Sequence, residues 1–412
     1  MSWTRRAVVA ALSLGPLACA PSKVGSPVYD GLQEGGSVEV IVSLREPASP
    51  DLVSQLPGLT LTRRFENIPA LAGVVDRRGL ESLEVHPEVL KVDVEGRRYA
   101  SASESVPLIH ADETRAAGVT GRGVTVAVID TGVDSNHRDL VDAVVQEVCF
   151  CSGCCAGGAS TGSGKGSARD DNGHGTNVTG IIASDGRTSP VGVAPDAKIV
   201  GIRVIGPFGA RDSDILAALD YVIARPQIRV INMSLGGGRF FSVCDSADAS
   251  NQAYGNAIAR LRSQGTLTSV AAGNEGFTDS VASPACINAA LAVGAVYDDN
   301  VGGLLWSNCS DPSTSADQVT CFSNSSPLVE LLAPGALITS AGPGGGTLTE
   351  GGTSQAAPHV AGAAALLLQL RPSLSPAQII DVLKRTGRPV TDRKNGLKLP
   401  RISLKAAVDA VR

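Results

Sequence analysis

The chain has 412 residues, 43% of them hydrophobic and 18% charged, with a net charge of −5. This excludes a disordered chain, allows one large domain with one or two smaller pieces, and offers no basic stripe for nucleic acid. Forty-seven glycines and only 3% aromatics fit closely packed helix and sheet layers joined by many turns.

Taken in order, Met1-Ser2-Trp3-Thr4-Arg5-Arg6 and the mostly apolar run 7–20 have the charged and hydrophobic parts of a secretory signal, residues 1–20, too short to span a bilayer. Two processing routes fit. One is ordinary cleavage; the other is lipidation of Cys19 in Leu17-Ala18-Cys19, which resembles a bacterial lipoprotein signal and would be the chain's one membrane attachment. Residues 21–36 are polar with Gly and Pro and read as a linker. Residues 37–99 read as a small α+β domain, with strands at 38–44, 70–76 and 89–94, a short helix beginning in 51–55 and another at 78–85. The polar stretch 95–105 is a boundary open to proteases.

From 105 to 412 apolar runs alternate with helical segments. Strands are expected at 124–129, 198–205, 230–234, 266–272, 291–296 and 328–333, and helices at 174–184, 212–224, 250–264, 354–370 and 375–386. Such alternation implies an α/β fold of three layers with a mostly parallel central sheet. Reactive groups in such sheets gather at the carboxyl ends of strands, where Asp130, Ser234 and Asn274 fall.

With Cys19 in the signal, eight of nine cysteines remain, an even number that reads as disulfides in an exported protein. Cys149, Cys151, Cys154 and Cys155 are too close in sequence not to cluster. Cys309 with Cys321 would close one loop and leave Cys244 for Cys286. Zinc in the four-cysteine cluster is the alternative, and an oxidising compartment argues against it.

Ser354 in Gly351-Gly352-Thr353-Ser354-Gln355-Ala356-Ala357-Pro358 begins an apolar helix. Unpaired N–H groups and the positive end of the helix dipole at that point favour an oxyanion beside the hydroxyl. A serine nucleophile needs a base, and the base an orienting group. Of five histidines, His359 lies about 140° around the same helix, His86 and His110 fall away from the strand ends, and His137 follows a turn that it can orient or cap. His174, between Gly173 and Gly175, remains as the base. Asp130 ends a buried strand and needs a donor, which a histidine N–H supplies. The amide of Asn274 is placed to donate to an oxyanion. Taken singly, each of these is also an ordinary cap, turn or loop residue.

Together Asp130-Thr131-Gly132, Gly173-His174-Gly175-Thr176, Ser234-Leu235-Gly236-Gly237, Ala272-Gly273-Asn274 and the Ser354 segment resemble the subtilisin-like serine proteases over roughly 109–386. The order Asp, His, Asn, Ser is one of the orders known for this constellation. The resemblance implies a serine endopeptidase acting on proteins or peptides through an acyl-enzyme, with Ser354 as nucleophile, His174 as base and acid, Asp130 as orienter and Asn274 in the oxyanion hole. It implies that Ser234, Leu235, Gly236 and Gly237 pair with extended substrate, that Ala272 and Gly273 help wall the pocket, and that Ala282 lies at its floor, a small neutral floor suited to apolar side chains. It implies further that residues 37–99 are an inhibitory propeptide, removed by self-cleavage between about 98 and 105, so that the exported product is secreted or lipid-anchored at the cell envelope.

Departures from the family pattern are Asn177 in place of a second histidine and cysteine-bearing insertions at 149–169 and 301–321. No cofactor is required for the chemistry. Structural calcium is an expectation without an assigned site, because Asp139 matches one ligand position while 185–190 lacks the usual asparagines. The competing reading is a catalytically silent surface-binding relative; a lipase or esterase would set its nucleophile in a Gly-x-Ser-x-Gly elbow with the triad in another order, whereas Ser354 stands in Gly352-Thr353-Ser354-Gln355-Ala356.

Overall fold

The computed structural model describes residues 23–45, 53–64, 69–94 and 105–412, and the chain divides into two compact units, Met1–Tyr99 and Ala100–Arg412. The signal region with Cys19 and the expected cleavage stretch at 98–104 lie outside the described residues.

The first unit runs α1 (Ser26–Gly35), β1 (Ser37–Leu44), β2 (Leu59–Arg64), β3 (Ala70–Asp76), α2 (Arg77–Val85) and β4 (Val89–Val94). Its strands form an antiparallel sheet in the order β2-β3-β1-β4. Alternate residues Val40, Val42 and Leu44 of β1 point to one face, where they meet Leu71, Val75, Leu80, Leu83, Val89 and Val92. Asp76 caps α2 by accepting from the Gly79 N–H at 2.8 Å. Part of the segment expected as a linker is helical instead. Val28 and Leu32, one helical turn apart, bury against this core, and Gly36, at φ 71°, closes α1 by donating to the Leu32 carbonyl. The expected strands at 38–44, 70–76 and 89–94 are present, and β2 is an additional one.

The second unit is built on a ten-stranded sheet. Its strands are β5 (Thr125–Asp130), β6 (Val144–Phe150), β7 (Thr161–Ser163), β8 (Lys198–Arg203), β9 (Ile228–Met233), β10 (Leu267–Ala271), β11 (Leu291–Tyr297), β12 (Leu331–Ala336), β13 (Arg388–Thr391) and β14 (Lys398–Arg401). They lie in the order β13-β14-β12-β11-β10-β9-β5-β8-β6-β7. Neighbours are parallel except at the two ends, where β13 and β7 turn back antiparallel. Buried strands such as β10 and β11 have no exposed residue, as a sheet covered on both faces requires.

Helices α3 (His174–Ala183), α6 (Thr353–Leu370), α7 (Pro376–Thr386) and α8 (Leu404–Asp409) contribute to the core on one face, and α4 (Asp212–Ile223) and α5 (Ala249–Ser263) to that on the other. The three-layer α/β architecture is therefore as expected. Helix α6 is buried nearly all round, so small side chains let it lie close to the sheet. Register sets the reactive end: Ile129 of β5 is opposite Met233 of β9, and Met233 is opposite Val270 of β10. Asp130, Ser234 and the loop carrying Asn274 therefore leave adjacent strands at their carboxyl ends, with β5 between β8 and β9 at the point where strand order reverses.

Candidate active site

Asp130 is fully buried at the end of β5. Its Oδ1 accepts from the Thr131 N–H at 2.7 Å and from His174 Nδ1–H at 2.7 Å. His174 begins α3, with Gly173 at φ 108° before it and Gly175 after it; a Cβ on Gly175 would meet the Gly132 carbonyl oxygen. The glycines thus allow the histidine turn to close on the aspartate turn. Burial works to lower the His174 pKa, but the charge and hydrogen bond of Asp130, with the charges of Glu350 and Asp170, outweigh it and lift the pKa to about 9.

Asp170, not singled out from sequence, ties this corner together. It accepts from Thr131 Oγ1, the Asn172 and Gly173 N–H groups, and both the N–H and hydroxyl of Thr176. Burial would raise its pKa, yet these donors hold it below the ordinary carboxylate range.

Ser354 is the second residue of α6. Its hydroxyl donates to the Ser234 carbonyl at 3.3 Å, and Ser234 Oγ donates to the Ser354 carbonyl at 2.6 Å. Asn274 Oδ1 accepts from the Thr353 N–H at 2.8 Å and its hydroxyl at 2.9 Å. Both oxygen positions are thereby committed to protein, which leaves the amide Nδ2 as the donor to the cleft. The 301–321 insertion supports this wall: Asn308 Nδ2 donates to the Asn274 carbonyl at 2.8 Å, and the Trp306 ring lies against Gly351.

A cavity of roughly 720 Å³ brings together His174, Ser354, Asn274, Gly273 and the segment Ser234, Leu235, Gly236 and Gly237. Gly237–Phe240 pairs antiparallel with Val281–Ser283, and Cys244–Cys286 fastens that pair. Ser283 and Pro284 line the cavity. Ala282 is buried behind it, its methyl against Gly236 and Gly273, and its N–H donates to the carbonyl of Ala272, also buried.

The remaining expectations resolve individually. His359 is buried, bonded to the Gln355 carbonyl and lowered to about 4 by burial, so it is a neutral core residue. His137 bridges the Gly346 carbonyl and the Asp139 N–H, as an orienting or capping histidine does. Asn177 donates to the Leu348 carbonyl and accepts from Gln355, which is packing rather than proton relay. Cysteines pair as Cys149–Cys155, Cys151–Cys154, Cys244–Cys286 and Cys309–Cys321.

The residues around Asp139 do not fit calcium. Both carboxylate oxygens accept from Thr188 and Ser189, and these bonds outweigh burial and lower its pKa. Arg187 donates to the Arg138 carbonyl and pairs with Asp142 and Asp185. Calcium takes six to eight oxygen ligands, whereas this loop turns N–H and O–H donors inward and brings its own cation. Among the described residues no group of three or more His, Cys, Asp or Glu is arranged to hold a metal.

A mostly parallel three-layer fold with a serine, a histidine and an aspartate at one strand-end cleft defines a serine endopeptidase. The subtilase family model matches residues 121–401, and the chain belongs to that family. It is 31% identical to subtilisin E of Bacillus subtilis (strain 168) over 360 residues, 85% of this chain and 84% of that one. It is 32% identical to alkaline elastase YaB of Bacillus sp. (strain YaB), over 80% of this chain and 76% of the relative. Among solved structures, a protease of Pseudoalteromonas arctica PAMC 21717 matches with a TM-score of 0.61 at 27% identity, covering 76% of this chain and 95% of that one. A cold-adapted subtilisin-like serine proteinase matches with a TM-score of 0.53 at 32% identity, covering 68% and 89%.

Proposed function

We propose that the chain is an exported, self-processing endopeptidase whose nucleophile is Ser354. The observation that carries this is the 2.7 Å bond between His174 Nδ1 and buried Asp130 in the cavity that also holds Ser354. That bond fixes the tautomer with the proton on Nδ1 and leaves Nε2 as base. When a peptide enters, the Ser354 hydroxyl turns from the Ser234 carbonyl to His174, gives up its proton and attacks the scissile carbonyl. Asn274 Nδ2 and the Ser354 N–H, at the start of α6, donate to the oxyanion. His174 then protonates the departing amine, and water repeats the sequence on the acyl-enzyme. A silent binding relative has no use for this buried pair.

Four disulfides support export. Among the described residues no helix is long and apolar enough to cross a membrane. Whether Cys19 carries lipid is part of the same proposal. The compact α+β unit at Met1–Tyr99 supports the precursor reading. The 360-residue match to subtilisin E is also longer than 105–412 and so takes in part of that unit. The test is intact mass of the exported chain beside Ser354→Ala: loss of the segment to about residue 100 in wild type alone supports self-processing, and retention in both contradicts it. The released fragment also reports lipid on Cys19.

A further inference from the structure

Four carboxylates line the cavity that holds His174 and Ser354: Asp212, Asp248, Glu275 and Glu350. Among the described residues no lysine or arginine lines it. Asp212 accepts from the Tyr254 and Ser250 hydroxyls, each at 2.7 Å. Asp248 accepts from the N–H and side-chain amide of Asn251, at 2.8 and 2.6 Å. Glu275 accepts from Asn324 Nδ2 at 2.6 Å, and Glu350 from Gln355 Nε2 at 3.0 Å. All these donors are neutral. Hydrogen bonds from them hold each carboxylate in place without cancelling its charge, and among the described residues none of the four joins a lysine or arginine in an ion pair. Elsewhere on this surface acids are commonly paired, as Asp279 is with Arg239 and Asp196 with Arg122.

Three of the four carboxylates fall into two places along the cleft, while Glu275 follows Asn274 directly. Asp212 starts α4 one residue after the short strand Gly209–Ala210, and Asp248 caps α5. Both are tied to the first turns of α5, whose Asn251 accepts from Ser283 on the strand paired with Gly237–Phe240. They therefore sit along the Ser234–Gly237 edge at the end away from Ser354, the side that holds the acyl half of an extended peptide. Glu350 ends the hairpin strand Thr347–Glu350, four residues before Ser354, where its charge acts on His174. His174 hands its proton to the departing amine, so Glu350 borders the leaving half. A cleft lined by charge of one sign concentrates partners of the other, even where, as at Asp212, Asp248 and Glu275, the carboxylates stay in contact with solvent.

Resting on the endopeptidase reading, we infer that this cleft selects cationic peptides. A lysine or arginine just after the cut faces Glu350, and a second one upstream faces Asp212 and Asp248.

The experiment uses processed wild-type protein and a peptide series differing only in Arg, Ala or Glu at each position around one cleavage site, with denatured casein as a general substrate. The expected result is at least about tenfold higher kcat/KM for Arg than for Glu at an upstream position and at the residue after the cut. The upstream preference collapses in Asp212→Asn and is kept in Asp212→Glu, the downstream one collapses in Glu350→Gln, and both shrink as salt screens the charges. Equal rates for Arg, Ala and Glu, with casein cut, overturn the proposal and leave the endopeptidase reading standing. No cleavage of peptide or casein overturns that reading, and the proposal with it.

Discussion

Ser234 and Ser354 hold each other by two hydrogen bonds: the Ser234 hydroxyl donates to the Ser354 carbonyl at 2.6 Å, and the Ser354 hydroxyl donates to the Ser234 carbonyl at 3.3 Å. The first bond answers a gap in helix α6. Residue 358 would normally donate its N–H to the carbonyl four residues earlier, that of Ser354, but it is Pro358 and has none. Ser234 supplies the missing donor from β9's end, held in turn by Asn232 Nδ2 at 2.9 Å.

Ser234→Ala therefore strands a buried carbonyl and costs about 1–3 kcal/mol. Pro358→Ala restores a backbone donor, so in the double variant the Ser234 change costs less. Urea unfolding in a Ser354→Ala background, which removes self-digestion, reads the coupling; strict additivity would refute the compensation.

The pH profile follows from His174. Its imidazole must be neutral to accept the Ser354 proton, and its pKa is raised, so activity is lost as pH falls through that value, well above the ordinary 6.5. Asp130, Glu350 and Asp170 are the charges that raise it. Glu350→Gln removes one of them, lowers the pKa and moves the acid limb of kcat/KM toward lower pH, measured on an uncharged peptide. An unmoved limb would mean that Glu350 does not act on His174.

Asn274→Ala lowers kcat by roughly 100- to 1000-fold with little change in KM, because its amide meets the substrate only as the oxyanion forms. Thr353→Val, which loses one of the two donors pinning Asn274 Oδ1, gives a smaller loss of the same kind. A KM effect alone would place Asn274 in ground-state binding instead.

Arg187 occupies the loop beside Asp139, the one position that matches a calcium ligand. EDTA accordingly leaves Tm unchanged, and Arg187→Ala lowers it by releasing Asp142, Asp185 and the Arg138 carbonyl. A Tm that falls with EDTA and recovers with calcium would contradict this account.

What was legible in the sequence was whatever a turn or a spacing constrains. Asp130, His174 and Ser354 each sit among glycines that close approach demands, and four cysteines packed into 149–155 had few partners but each other. What was not legible depends on distant partners. Asp170 reads as one of two acids in Asp170-Asp171, and only the fold aims five donors at it. Asp212 and Glu350 read as surface acids until α5 and the hairpin before Ser354 bring them into one cleft. Strand β6 is not legible because its first half is largely exposed and carries no apolar run. Helix α1 was hidden by its glycines and proline, since only two apolar residues mark its buried face.

The central claim is that Ser354 is a nucleophile activated by His174. Its most direct test is labelling of the processed protein with a fluorophosphonate across pH, with the modified peptide read by mass spectrometry. The account predicts one label per chain, on Ser354, at a rate that rises through the raised His174 pKa and collapses in His174→Ala. Labelling at another serine, or at Ser354 with a rate indifferent to His174, would contradict it.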